Sequence, residues 1–236
     1  MEQSSQRRGI LGWVGVPGTL KQVDMDGGIV VGVNSSGAIF YADTNIATNP
    51  NWTQIPGALT WVSISNGRLY GVNSAGNIFY NASYKTGNWV GVPGSLKQVD
   101  FDGSVVMGVN SNGNIYYADT NIETNPNWTE LQGLLTNVTV SNGRAYGVNS
   151  AGNIFFNSSY KSSNWVGVPG ALVQVDLDGS VVCGVNSSGG IYCANNNIET
   201  NPNWTQVQGA LTNITVSNGK LYGVNSAGNV FYGQIY

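Results

Sequence analysis

Histidine is absent from this chain, and with it goes the usual general base and the usual zinc ligand. Charge is scarce as well: 9% of the 236 residues are charged, the formal net charge is −3, and Arg7-Arg8 is the densest basic stretch. Nucleic-acid binding rests on dense positive charge, so that class of partner is excluded. No apolar run is long enough to span a membrane, and membrane insertion is not expected. The N-terminal Met-Glu-Gln-Ser-Ser-Gln-Arg-Arg has no apolar core and is not read as a secretory signal. Nine Asn-x-Ser/Thr sequons, among them Asn51, Asn127 and Asn203, would invite glycosylation in a secreted chain. Together these features make a cytoplasmic protein the expectation. No window shows the i, i+3, i+4 spacing of an amphipathic helix, and 33 glycines argue against helices too.

What is present is a repeat. Gly-Val-Asn-Ser begins at Gly32, Gly71, Gly108, Gly147, Gly184 and Gly223, in steps of 39, 37, 39, 37 and 39 residues. Tryptophan keeps the same beat at Trp13, Trp52, Trp89, Trp128, Trp165 and Trp204, and only Trp61 falls outside it. A fixed period near 38 residues marks a repeat architecture and makes the chain one domain. In one repeat, Leu59–Ser65 alternates with the period of a half-buried strand, and Asn66-Gly67 is a tight hairpin signal. Arg68–Asn73 and Asn77–Asn81 are the second and third strands, and Trp89–Pro93 is the fourth, ended by Pro93-Gly94. Six sets of four antiparallel strands predict an all-β, six-bladed propeller. The last repeat stops at Tyr236 without a fourth strand, and Gly9–Val16 supplies the missing one. Residues 1–8 then form a tail and residues 9–236 a ring closed by the N-terminal strand.

The alternating step sorts the repeats into three tandem pairs of 76 residues. Odd repeats carry Leu20-Lys-Gln-Val-Asp-Met-Asp-Gly27 and its copies at Leu96 and Leu172, where even repeats have Leu59-Thr-Trp, Leu135-Thr-Asn and Leu211-Thr-Asn. Asp24-x-Asp26-Gly and its copies open like a calcium loop but lack the later donors, so they are read as hairpin turns, with no metal or cofactor. No Ser, Cys or Lys stands in a nucleophile motif, and the acidic residues recur with the repeat, so catalysis is not expected. Cys183 and Cys193 flank the turn at Asn186-Ser-Ser-Gly189, where sister repeats have Val31 and Met107, and Tyr41 and Tyr117. The expectation is apolar replacement at core positions rather than a disulfide. Amides and hydroxyls suit a sugar's hydroxyls, and aromatic faces suit its C–H surface. Tryptophans at one repeat position are more often core between blades than ligand platforms, and the asparagines can serve only to tie their turns.

The pattern Trp-Val-x-Val-Pro-Gly-x-Leu-Lys-Gln-Val-Asp followed by Val-x-Gly-Val-Asn-Ser-x-Gly-x-Ile-Tyr-Tyr resembles the tectonin repeat, six times over residues 13–236, most of all its fungal members. Trp61, Phe156, Val173 and Cys193 depart from it. The resemblance implies a six-bladed lectin for O-methylated glycans, methylated mannose or fucose on bacteria or nematodes, made without a signal peptide for defence. A scaffold for a protein partner, or a binder of another surface glycan or lipopolysaccharide, is the alternative. A methyl ether needs a small apolar hollow with a few amide contacts, which a propeller offers between blades, where the Val-Asn-Ser-x-Gly turn meets the Pro-Gly-x-Leu segment. The hydrogen-bonding residues expected there are Asn34, Asn73, Asn110, Asn149, Asn186 and Asn225. The expected apolar walls are Tyr70, Tyr146 and Tyr222 with Trp52, Trp89, Trp128, Trp165 and Trp204. Repeated weak sites imply multivalency, and self-association into a closed homo-oligomer such as a tetramer would multiply them. Trp61 is a candidate for such a contact and equally for a core replacement.

Overall fold

Asparagine and glycine at the hairpin tips let each repeat fold back on itself. Asn66 and Gly67 take φ of 51° and 72°, and Asn142-Gly143 and Asn218-Gly219 repeat that turn. In the computed structural model, which describes residues 10–235, these hairpins build six four-stranded antiparallel sheets. Blades I to V run from inner to outer strand in chain order, over residues 22–55, 61–95, 98–134, 137–168 and 174–207. Blade VI takes its three inner strands from residues 213–235 and its outermost strand from Ile10–Thr19. That strand pairs antiparallel with Asn229–Ile235, Val16 opposite Val230 and Val14 opposite Tyr232. The expected closure therefore holds; the expected tail, Gly9 and Tyr236 lie outside the described residues.

Two boundaries differ from expectation by two residues. The first strand of blade II starts at Trp61 rather than Leu59, and the fourth runs on past Pro93 to Ser95. Proline is tolerated there because the strand is the outer edge, and the register shifts between Asn77 and Ile78 where it passes.

Each sheet is apolar on both faces, so the core is divided among the junctions. Six buried clusters form, each mixing residues of two neighbouring blades; Val23, Met25 and Val30 of blade I, for example, meet Tyr222, Val224 and Val230 of blade VI. The glycine that opens Gly-Val-Asn-Ser follows from this packing. A Cβ at Gly71 would lie 2.4 Å from Leu59 Cδ1, and one at Gly147 equally close to Leu135 Cδ1. Tyr84 Oη donates to Asp43 Oδ2 at 2.9 Å, and Lys85 Nζ meets the same oxygen at 3.1 Å, which joins blades I and II further out.

The innermost strands surround a narrow channel of about 20 Å³, little more than a water molecule needs. Gln22, Gln98 and Gln174 bridge it by clasping the backbone of Val62, Val138 and Ile214 in the next blade. Asn137 and Asn213 return the gesture to Val175 N and Val23 N. Trp61 occupies the corresponding place in blade II, lines the channel and packs on the cluster between blades II and III. Trp61 is a core replacement.

The cysteine expectation needs correction. Cys183 and Cys193 are buried as expected, but they are bonded to each other, with Cα atoms 4.1 Å apart. They stand directly opposite on adjacent strands of blade V, and such cross-strand pairs bring Cβ atoms within reach of a bond. In the sister blades Val31 faces Tyr41 and Met107 faces Tyr117, so each site tolerates an apolar pair. Among the described residues no helix is long and apolar enough to cross a membrane.

If closure by the first strand holds the ring, a chain beginning at Leu20 should lose about 10 °C or more in thermal midpoint. Light scattering should also show association through the bared edge of Asn229–Ile235. An unchanged midpoint would refute this role.

Candidate functional site

The Val-Asn-Ser-x-Gly turns all stand on one rim. In the turn of blade I, Asn34 Oδ1 accepts from Ser36 N at 3.1 Å, Ala38 N at 2.9 Å and the Ser36 hydroxyl at 2.8 Å. Asn73, Asn110, Asn149, Asn186 and Asn225 hold their turns by the same backbone pair. Their side-chain oxygens are thus committed to the protein. The Nδ2 groups of these six half-buried residues donate to no protein atom among the described residues, which leaves the amide N–H as what they can offer a ligand.

Each turn also carries the start of the next blade. Leu20, Leu59, Leu96, Leu135, Leu172 and Leu211 donate their backbone N–H to the glycine carbonyl of the preceding blade's turn, at 2.9–3.0 Å. The expected meeting of turn and Pro-Gly-x-Leu segment is therefore built into the ring. Over that segment lies a tryptophan. Trp52 Nε1 donates to Pro17 O at 2.6 Å, Trp89 to Pro56 O at 2.9 Å, Trp128 to Pro93 O at 2.7 Å and Trp204 to Pro169 O at 2.7 Å. Trp13 does the same to Gln208 O at 2.9 Å. The glycine under the indole has no room for a side chain: at Gly18, with φ of 133°, a Cβ would sit 2.7 Å from Trp52 Nε1.

These parts enclose a shallow hollow of about 90 Å³ between blades VI and I, lined by Gly18, Thr19, Leu20, Phe40 and Trp52. Its aromatic walls recur around the ring as Trp89 with Phe79, Trp128 with Tyr116, Trp165 with Phe155, Trp204 with Tyr192 and Trp13 with Phe231, each pair packed at its own junction. The junctions alternate in kind. Opposite the wall aromatic stands Gln54, Glu130 or Gln206 in odd blades but Gly15, Gly91 or Gly167 in even ones. The junction of blades III and IV departs furthest: Leu134, 62% exposed, replaces a smaller residue, and the buried Trp165 Nε1 has no hydrogen-bond partner.

The five tryptophans expected as walls are half-buried, each with its Nε1–Cδ1 edge against the glycine of a Gly-x-Leu segment, but Tyr70, Tyr146 and Tyr222 are not walls. All three are fully buried, and their hydroxyls donate to the carbonyls of Ile122, Ile198 and Ile46 in the long loop of the next blade. Burial pushes all three phenols well above the usual tyrosine range. The strand places them inside because Tyr70 and Val72, on either side of Gly71, are two residues apart and share the face turned to the junction, as do Tyr146 with Val148 and Tyr222 with Val224. The wall aromatics Phe40, Phe79, Tyr116, Phe155, Tyr192 and Phe231 were missed by the sequence reading. Their signal was available: each is the middle residue of Ile-Phe-Tyr or its variants, so it points opposite to the buried isoleucine.

Tyr146→Phe tests this placement. It removes a buried donor from Ile198 O, so denaturant unfolding should show a loss of about 1–2 kcal/mol. Binding at the hollows should be unaltered, whereas a wall tyrosine would give the opposite pattern.

The tectonin-domain family matches the chain three times, over residues 2–86, 82–164 and 157–236. No curated protein matches it. Among solved structures, the WD40 repeats of RRP9 superpose with a TM-score of 0.63 at 10% identity, covering 92% of this chain and 80% of that one. Human WBSCR16 gives 0.59 at 12% identity, over 90% of this chain and 75% of that one. YCF48 from Cyanidioschyzon merolae gives 0.57 at 14% identity, over 90% and 81%. At such identities these likenesses speak for the propeller fold alone. The three family matches together span nearly the whole chain, and the protein belongs to the tectonin-domain family.

Proposed function

We propose that this protein is a non-catalytic, multivalent lectin that takes O-methylated glycans, methylated mannose or fucose among them, into the hollows between its blades. The observation that carries this reading is the hollow of Gly18, Thr19, Leu20, Phe40 and Trp52, whose aromatic pair has a counterpart at each other junction. Methylation of a hydroxyl removes a donor and adds an apolar cap. A glycine floor with two aromatic walls favours that cap, and the amide N–H of the neighbouring Asn turn suits an ether or ring oxygen. The hollow is too shallow to enclose a whole sugar, so each site would be weak: about 1 mM corresponds to roughly −4 kcal/mol. Several such sites on one rigid ring would raise avidity by about 10²–10⁴ on a decorated bacterial or nematode surface.

Val14, Val90 and Val166 support a further part of the reading, self-association into a homo-oligomer. They are 44%, 44% and 49% exposed, at equivalent places on the outer strands of the even blades, where an unpaired edge invites a second copy. Cytoplasmic residence is part of the same proposal as a defence protein. In that compartment the Cys183 and Cys193 thiols would be kept reduced, and the bond would close only after release.

A glycan array with methylated and unmethylated members tests the reading, together with calorimetry on the free monosaccharide. The expected result is binding to methylated members, weak and multisite for the monosaccharide, with Trp52→Ala plus Trp204→Ala lowering surface avidity about tenfold or more. One tight site per chain, or silence across the array with recovery of a protein partner, would reject it.

A further inference from the structure

The channel holds three carboxyls and three hydroxyls in strict alternation. Asp24, Asp100 and Asp176 sit mid-strand in the innermost strands of blades I, III and V, and Ser63, Thr139 and Thr215 in those of blades II, IV and VI. The hydroxyls are 1% exposed. Each touches the carboxyls on both sides. Thr139 Oγ1 lies 2.8 Å from Asp100 Oδ2 and 3.2 Å from Asp176 Oδ1. Thr215 Oγ1 lies 2.8 Å from Asp176 Oδ2 and 3.0 Å from Asp24 Oδ1. Ser63 Oγ lies 3.1 Å from Asp100 Oδ1, with the Asp24 carboxyl close on its other side. The circle is complete, and the backbone joins it: Ile64, Val140 and Val216 each donate an N–H to one carboxyl at 2.7 Å.

Counting protons decides its state. A hydroxyl has one proton and can donate to one neighbour only. Two of the hydroxyl oxygens also accept a backbone N–H, Ser63 from Phe101 and Thr139 from Leu177. With all three carboxyls ionised, three hydroxyl protons face six hydroxyl–carboxyl contacts, and half of the contacts set lone pair against lone pair. With the carboxyls protonated, each hydroxyl donates one way and accepts a carboxyl O–H the other way, and every contact is a hydrogen bond.

Among the described residues no positive charge relieves the circle. The acidic groups facing it are its own three carboxyls, with Asp26, Asp102 and Asp178 two residues further along the same strands and bonded to Asn66 N, Asn142 N and Asn218 N. The strands of blades II, IV and VI bring only Ser63, Thr139 and Thr215 to it. Arg68 and Arg144 are turned away to the Gly103 and Gly179 carbonyls and to Glu123 and Glu199. Lys21 and Lys97 project into solvent, and Lys220 opens the second strand of blade VI at the hairpin end.

We propose that these six side chains form a proton-sharing clasp, a pH-sensitive device that ties each blade to both neighbours when its carboxyls hold protons and loosens the ring as they are lost. Burial pushes Asp24 up to about 7, with repulsion from Asp100 adding to it. Burial raises Asp176 and Asp100 as well, the first with help from Asp24 and Asp100 and the second from Asp102. A carboxyl whose folded value is raised holds more protons folded than unfolded. Its stabilisation is therefore complete below about pH 4 and disappears as the pH climbs toward 7. The opposite sign belongs to Asp43 and Asp119, which Tyr84 with Lys85 and Lys161 with Tyr160 hold below the usual range; their contribution is lost only in stronger acid. Stability should thus peak in mild acid rather than at neutrality.

Thermal unfolding of the full chain between pH 4.5 and 8.5 tests the clasp. The midpoint should fall by roughly 5–10 °C across that range, and the fall should vanish in Asp24→Asn/Asp100→Asn/Asp176→Asn, whose amides do not titrate. A flat profile in the unaltered protein, or the same slope in the variant, overturns the proposal. Should the variant not fold, carbon-13 titration of the aspartate carboxyls in the unaltered protein decides. Aspartates titrating well above the usual carboxylate range support the clasp, and all of them titrating near 3.8 reject it.

Discussion

A sheet that is apolar on both faces must find two partners, and six such sheets satisfy that requirement only by closing a circle. Most of what is distinctive in this protein depends on that closure. It places one apolar cluster at each junction and makes Ile10–Thr19 part of the blade formed by the other end of the chain. It also brings the innermost strands so close that the Gln22, Asn213 and Thr139 side chains reach across from one blade to the next. The glycine of each Gly-Val-Asn-Ser is the local expression of the same constraint, since the leucine that opens the blade occupies the space a side chain would need. The hollows are its by-product: wherever one blade hands over to the next, a turn, a Gly-x-Leu segment and an indole must meet.

How much of this can be read from the residues varies with the range of the interaction. The repeat, the hairpin tips and the complementary ends are local or periodic, and they led to the blade count and the closure. Side-chain direction was harder. Tyr70, Tyr146 and Tyr222 look like ligand-facing aromatics until the strand is paired, and only then does the long loop of the next blade supply the carbonyl that takes each hydroxyl inside. Phe40 and its equivalents, one strand over, are the half-buried aromatics of the junction. The bond between Cys183 and Cys193 likewise depends on register: ten residues of separation say nothing until the two stand opposite each other. The channel was the least legible part, because Asp24 and Thr215 are 191 residues apart in the chain and meet only when the ring closes.

The pairing of repeats has consequences at both radii of the ring. At the centre it alternates carboxyl with hydroxyl, so that a threefold pattern lies inside a sixfold frame. At the rim it alternates amide- or carboxylate-bearing hollows with bare ones, Gln54 against Gly91 being the first such pair. A duplicated unit of 76 residues can diversify its outer sites two ways while leaving the shared junction intact, because the residues that vary point outward from the residues that pack. Leu134 and the unpartnered Trp165 show one junction that has moved further from its sisters.

The proposed lectin activity requires that ligand enter the hollows. Crystals of the protein soaked with a methyl-ether monosaccharide measure that directly. The predicted result is sugar density against Trp52 with Phe40 and against the equivalent pairs at other junctions, its methyl group toward the glycine floor. Density confined to the outer edges of the blades, or none at any junction at saturating sugar, would contradict it.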